Sequence, residues 1–117
     1  MAVQPAQSIY SPPDDGLVYG NLEIYPGEFQ LFVEGRRVEL TVKEFETLMA
    51  LVMRPDRVVR REQIYQLVWD RPMKAHDRSV DVFVKKVRQK LGRSAPDWTY
   101  IHTHFGVGYR FLPERRT

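Results

Sequence analysis

A chain of 117 residues with a net charge of +3 is large enough for one domain with a modest core and needs no staples to hold it. It has no cysteine, which excludes a disulfide framework and a thiolate metal site and suits a reducing, cytoplasmic compartment. No apolar run approaches membrane-spanning length, and the N-terminus lacks a basic stretch followed by an apolar one, so neither a spanning helix nor a secretory signal is expected.

Residues 1–16, MAVQPAQSIYSPPDDG, are rich in Pro, Ser, Gln and Asp and show no apolar period, as expected of a flexible tail or linker. Residues 17–40 carry strand signals in four short runs, 17–19, 22–25, 29–33 and 36–40, punctuated by Gly20-Asn21, Pro26-Gly27 and Glu34-Gly35. They predict a four-stranded antiparallel meander with a tight hairpin turn at Glu34-Gly35. Thr41, with Glu44 three residues later, is a capping box and opens a helix over 41–53. Its inward stripe is Phe45, Leu48, Met49 and Val52, and Pro55 stops it. Val58-Val59 suits a short strand, and residues 60–69 a second helix with Ile64, Leu67 and Val68 inward. A loop containing Pro72 fills 70–76.

Residues 77–91, DRSVDVFVKKVRQKL, then predict a third helix, with Asp77 as N-cap and Gly92 as C-terminal stop. Val80, Phe83, Val84, Val87 and Leu91 recur at spacings of three and four and form one buried stripe. Arg78, Ser79, Val82, Lys85, Lys86 and Gln89 fall on the opposite side, with Arg88 and Lys90 flanking the stripe. Two β-rich runs, 100–103 and 109–111, enclose residues 104–108 and predict a C-terminal hairpin, followed by a short tail at 113–117. The whole is an α+β fold: an N-terminal sheet, three helices and a hairpin.

The charge is unevenly spread. Residues 1–53 hold three Lys/Arg against eight Asp/Glu, whereas residues 54–93 hold twelve against five. The cations thus gather around the third helix, the electrostatic footprint of a site for a polyanion. A helix held to a core by one face and cationic on the other is shaped for a DNA major groove, although most amphipathic helices are plain solvated surface elements. An anionic membrane would need large apolar residues on the outer face, which offers only Val82. His76, His102 and His104 have no Cys or carboxylate to complete a metal site. Gly106-Val107-Gly108 lacks the following helix of a nucleotide-binding loop, and Ser79, His76 and Asp77 are too local for a catalytic triad. No enzyme, cofactor or metal is expected.

Four segments in order carry a resemblance: VELTVKEFETLMALV, RPDRVVRREQIYQLVW, DRSVDVFVKKVRQKLG and YIHTHFGVGYRF. Over residues 17–112 the chain resembles the OmpR/PhoB-type winged-helix effector domain of bacterial two-component response regulators. The resemblance implies a winged helix-turn-helix that binds double-stranded DNA, with helix 77–91 in the major groove and hairpin 100–111 as the wing. By position it implies that Arg78, Lys85, Arg88 and Thr103 contact phosphates. Ser79, Asp81, Val82 and Lys86 match base-facing positions, and Tyr109 and Arg110 fall in the wing. Asp81 either accepts from a cytosine amino group or orients a neighbouring cation. The resemblance further implies an upstream receiver domain, a homodimer on a direct-repeat operator, and contact with RNA polymerase through loop 70–76. Use of the winged helix mainly for protein contact is the alternative. The chain departs from the family pattern at three places. Phe105 stands where the wing usually has Arg, Lys86 stands where Arg is frequent, and Arg60 replaces the usual N-capping Ser or Thr at a cost of roughly 1 kcal/mol.

Overall fold

A computed structural model describes residues 16–116. The expected linker at 1–16 lies, Gly16 apart, outside the described residues. Four strands, β1 (Leu17–Tyr19), β2 (Leu22–Tyr25), β3 (Gln30–Val33) and β4 (Arg36–Arg37), form an antiparallel meander in chain order. Glu34 and Gly35 both adopt positive φ, 51° and 80°, the conformation that a tight type I′ hairpin requires. Phe29, expected in the third strand, caps a single 3-10 turn instead, with φ 51°. The fourth strand stops at Arg37 rather than reaching Leu40, because the chain turns there into the next helix. Even so, Val38 donates its N–H to Leu31 O at 2.8 Å and stays buried.

Helix α1 (Val42–Val52) begins at the expected capping box: Thr41 Oγ1 accepts from Glu44 N, and Glu44 Oε1 accepts from Thr41 N at 2.9 Å. Strand β5 (Val58–Arg60) leads into α2 (Arg61–Trp69), whose N-cap Arg60 makes no side-chain capping bond. The inward face of α2 is Ile64, Tyr65 and Val68, while Leu67 is 47% exposed. Tyr65 takes the buried place expected of Leu67, with its ring stacked on Trp69 at 4.8 Å. Leu67 is left beside Met49 and Met53 in a shallow groove.

Helix α3 (Ser79–Ser94) differs from expectation at both ends. Arg78, not Asp77, occupies the N-cap; the Asp77 carboxylate still accepts from Ser79 N at 2.8 Å, one residue too early to be the cap. Gly92 does not stop the helix, which runs on to Ser94. The stop is Pro96, which drives Ala95 out of the helical region to φ −142° and ψ 74°. Of the predicted stripe, Val80, Val84, Val87 and Leu91 are buried, and Phe83 lies part-buried with its ring edge-on to Trp69.

The C-terminal hairpin comprises β6 (Trp98–His104) and β7 (Gly108–Arg115), and β7 thus runs past the expected end at Leu112. Strand β5 joins its far edge, so the second sheet has the order β5-β7-β6. The two sheets and α1 share one core through Leu22, Ile24, Leu48, Leu51 and Phe111. Tyr19 meets Phe111 edge-on at 5.3 Å, and Tyr100 donates its hydroxyl to Asn21.

Gly108 is where β5 and β7 come closest: a Cβ there would lie 1.9 Å from the Val59 carbonyl oxygen. Backbone cannot yield that far. Gly108→Ala is therefore expected to detach β5 and destabilise the domain by roughly 3 kcal/mol, the scale of an overpacked core site. Thermal unfolding measures this, and an unchanged midpoint would show that the strands part without cost.

Candidate nucleic-acid interface

Burying Val80, Val84, Val87 and Leu91 fixes which way α3 faces. Arg78 is 76% exposed, Val82 is 46% exposed, and Lys85, Lys86 and Gln89 are exposed with them. Among the described residues neither Lys85 nor Lys86 takes part in an ion pair; the Lys86 ammonium rests 4.9 Å from the Phe83 ring centroid. The third lysine of the helix differs. Lys90 Nζ lies 2.6 Å from Oε1 of the buried Glu44, which ties α3 to α1.

Asp81 belongs to the structure rather than to the outer face. Its Oδ1 accepts from Arg61 Nε at 2.9 Å and from the Tyr109 hydroxyl, and its Oδ2 lies 3.2 Å from Arg78 Nε. Its side chain is only 17% exposed. Of the two roles open to Asp81 in the sequence, orienting a neighbouring cation is the one its surroundings fit, since both oxygens are engaged. Arg88, expected on phosphate, turns back instead: its Nη2 donates to Ile101 O at 2.9 Å and to Thr103 Oγ1 at 2.5 Å. It also lies over the Tyr109 ring. Tyr109 is buried, and Arg110 is held by Asp56 Oδ1 at 2.6 Å and His104 Nε2 at 3.2 Å.

Arg88, Tyr109, Arg110 and Asp81 are thus brackets, and Val82, Lys85, Lys86 and the exposed Arg78 make up the outer surface, with Ser79 part-buried among them. Thr103 is half-buried beside it, spending one lone pair on Arg88. Arg88 and the Tyr109–Asp81 bond tie the hairpin to α3, so the helix and the wing present one surface, whereas Arg110 ties β7 to Asp56 and to His104 of its own hairpin. Arg61, which completes the Asp81 hub, has no local sequence signal; only the fold brings it to a residue on α3. Among the described residues no group of three or more His, Cys, Asp or Glu is placed to hold a metal, and no helix is long and apolar enough to cross a membrane.

The hub sets the pH response. Burial pushes the Asp81 carboxyl up, but the bonds from Tyr109 and Arg61 and the charges of Arg61 and Arg78 outweigh it and hold the carboxyl below its ordinary value. Glu44 behaves alike: burial raises it, and Lys90 and the Thr41 cap lower it further. Burial pushes the Tyr109 hydroxyl up, and its acceptor Asp81 adds to this, to about 12; burial takes Tyr100 to about 12 as well. Depressed carboxyls stabilise the fold above their unfolded values near pH ~4 and lose that contribution as pH falls. Raised tyrosines stabilise it fully below pH ~10 and lose that contribution as pH climbs from ~10 to ~12. Urea midpoints across pH should therefore form a plateau with two falling limbs. Tyr109→Phe should shorten the alkaline limb, and an unaltered limb would place the hydroxyl outside the hub.

A helix-turn-helix with its second helix exposed and cationic, followed by a hairpin bonded to that helix, defines a winged-helix domain. Residues 35–111 match the family model described as "Transcriptional regulatory protein, C terminal". The chain is 36% identical over 102 residues to the transcriptional regulatory protein ResD of Bacillus subtilis, covering 86% of this chain and 42% of ResD. It is 36% identical over 98 residues to SrrA of Staphylococcus aureus, covering 83% of this chain and 41% of SrrA. Among solved structures it superposes on the RstA DNA-binding domain of Klebsiella pneumoniae, in complex with the RstA box, with a TM-score of 0.76 at 28% identity. That match covers 84% of this chain and 97% of the RstA domain. DrrB of Thermotoga maritima, an OmpR/PhoB homolog, gives a TM-score of 0.70 at 34% identity over 83% of this chain and 44% of DrrB. The chain belongs to this family of C-terminal domains of transcriptional regulatory proteins, of the OmpR/PhoB winged-helix type. The family is one of transcription regulators and not an enzyme class. The chain spans less than half the length of the curated relatives it matches.

Proposed function

We propose that this domain binds double-stranded DNA sequence-specifically as the output domain of a bacterial response regulator, without catalysis, in the cytoplasm. One observation carries the reading: α3 is anchored by four buried residues while Lys85 and Lys86 on its outer face stay exposed and outside any ion pair among the described residues. Uncompensated cations on a rigid, groove-sized helix favour a polyanion, because each phosphate they neutralise releases bound counterions. The relatives' names support it, and the RstA domain was solved on DNA. In this reading α3 enters the major groove. Arg78 and Lys85 set the register on phosphates, with Thr103 beside them. Ser79, Val82 and Lys86 face base edges, Val82 being suited to a thymine methyl.

An upstream receiver domain, pairing of two copies on direct repeats and contact with RNA polymerase through the exposed loop 70–76 complete the proposal. Selection from a random duplex library on the immobilised chain, at near-physiological salt, tests it. Enrichment of a direct-repeat motif is the expected result. A folded chain that retains no duplex would overturn the reading in favour of a winged helix used for protein contact.

A further inference from the structure

A half-open cavity of about 180 Å³ lies where the C-terminal half of α3 meets the start of β6. Leu91 and Ile101, both buried, line it. So does Trp98, whose ring stacks on that of Tyr100 at 5.9 Å and 8°. Apolar cavities of roughly 150 Å³ take up a benzene ring, so this one has room for a single-ring molecule. Gly92 keeps it open from the helix side: a Cβ there would meet nothing within 4 Å.

Two cations share the lining. Arg88 is half-buried, and Arg116 joins it from just past β7. Neither takes part in an ion pair among the described residues. Arg88 spends Nε and Nη2 on the Ile101 carbonyl and Thr103 Oγ1, both neutral, and its Nη1 bonds no described residue. Arg116 Nη2 donates to another neutral acceptor, Pro96 O, at 2.6 Å. Burial pulls the Arg88 guanidinium below its ordinary value, and no carboxylate among the described residues stands against it. A part-buried cation without a counter-charge carries a desolvation cost that an anion beside it offsets.

We propose that this cavity binds a small organic carboxylate of single-ring size. Its apolar body lies against Leu91, Ile101 and the Trp98 ring, and its carboxylate pairs with Arg88 and Arg116. Inorganic phosphate would leave the apolar lining uncovered, and a nucleotide exceeds the volume. Lys85 and Lys86 are not part of the lining, so the site holds whether or not the chain binds DNA. Arg88 also ties the hairpin to α3, so an occupant bears on the side chain that carries the wing.

The test adds sodium benzoate to the folded chain at constant ionic strength, beside its neutral isostere benzamide, and follows the indole N–H signals by NMR. The chain has two tryptophans, and Trp69→Phe assigns them. Benzoate is expected to shift the Trp98 signal saturably, with a Kd on the order of 1 mM, and to leave that of Trp69 in place. Benzamide should bind roughly tenfold more weakly, and so should benzoate to Arg116→Gln. Gly92→Leu fills the space while favouring the helix, so it should abolish the shift without lowering the melting temperature. No saturable shift of Trp98 in the unmodified chain, or one that a folded Gly92→Leu variant retains, would overturn the site. Equal affinity for benzamide would overturn the carboxylate in favour of a neutral aromatic ligand. Should Gly92→Leu fail to fold, the exposed Arg116→Gln decides alone: undiminished benzoate affinity there overturns the pairing. None of these outcomes touches the DNA-binding reading, which library selection tests separately.

Discussion

Asp81→Ala is expected to cost roughly 3 kcal/mol of stability, because removing the centre of a part-buried hydrogen-bonded cluster strands its partners. Arg61 would lose its bonded partner, and the buried Tyr109 hydroxyl would lose its acceptor. For a domain of this size the melting temperature should fall by roughly 10 to 20 °C. DNA affinity should fall as well, for two reasons. Arg78 loses the carboxylate that holds its guanidinium over the helix start, and the wing is left tied to α3 through Arg88 alone. The preferred sequence should stay the same, since Asp81 presents no free oxygen to a base. Asp81→Asn keeps the shape and an acceptor but not the charge, so it should fall between the two and flatten the acid limb of the pH profile. Urea unfolding and library selection together decide the matter. A stable Asp81→Ala variant whose selected motif changes at one position would make Asp81 a base reader after all.

The elements were legible because their signals are local. The capping box at Thr41 and Glu44, the Glu34-Gly35 turn and the three-and-four spacing of Val80, Val84, Val87 and Leu91 each need only neighbouring residues to act. The site was harder to read, because side chains at similar helical angles divide between surface and bracket according to what lies across from them. Arg88 and Lys90 are both cations that flank the stripe. Arg88 turns inward only because Ile101 O and Thr103 Oγ1 stand opposite, from a strand thirteen and fifteen residues away. The same holds for Asp81, whose partner Arg61 lies twenty residues upstream. On α2 the buried residue is Tyr65 rather than Leu67, and its ring stacks on Trp69, a contact that a hydrophobic count does not weigh. The family resemblance placed contact residues by position, and at Arg88 and Tyr109 position alone does not separate a side chain that touches DNA from one that carries the wing.

Lys85→Ala combined with Lys86→Ala is expected to weaken binding to the selected duplex about a hundredfold at physiological salt while leaving stability within about 0.5 kcal/mol. The second half follows from exposure: both side chains are solvated and outside the ion pairs of the described residues. The first half divides between the two lysines. Lys85→Ala should weaken all sequences alike and lower the salt slope by about one, as loss of a phosphate contact does. Lys86→Ala should cost about 1–3 kcal/mol at a single base pair and relax the preference there. Lys86→Arg carries the argument further, because a planar guanidinium can bond both acceptors of a guanine edge where an ammonium meets them as a point charge. If Lys86 faces guanine, Lys86→Arg should bind more tightly and select that guanine more strictly. Arg88→Ala is the contrasting control. It should melt earlier, since it unbinds the wing from α3, and should lose affinity without the one-unit loss of salt slope expected of a phosphate contact. Salt-dependent anisotropy on these five variants beside the unmodified chain separates cations that touch DNA from the cation that holds the fold. Slopes equal to that of the unmodified chain in all five would mean that the outer face of α3 is not where the duplex lies.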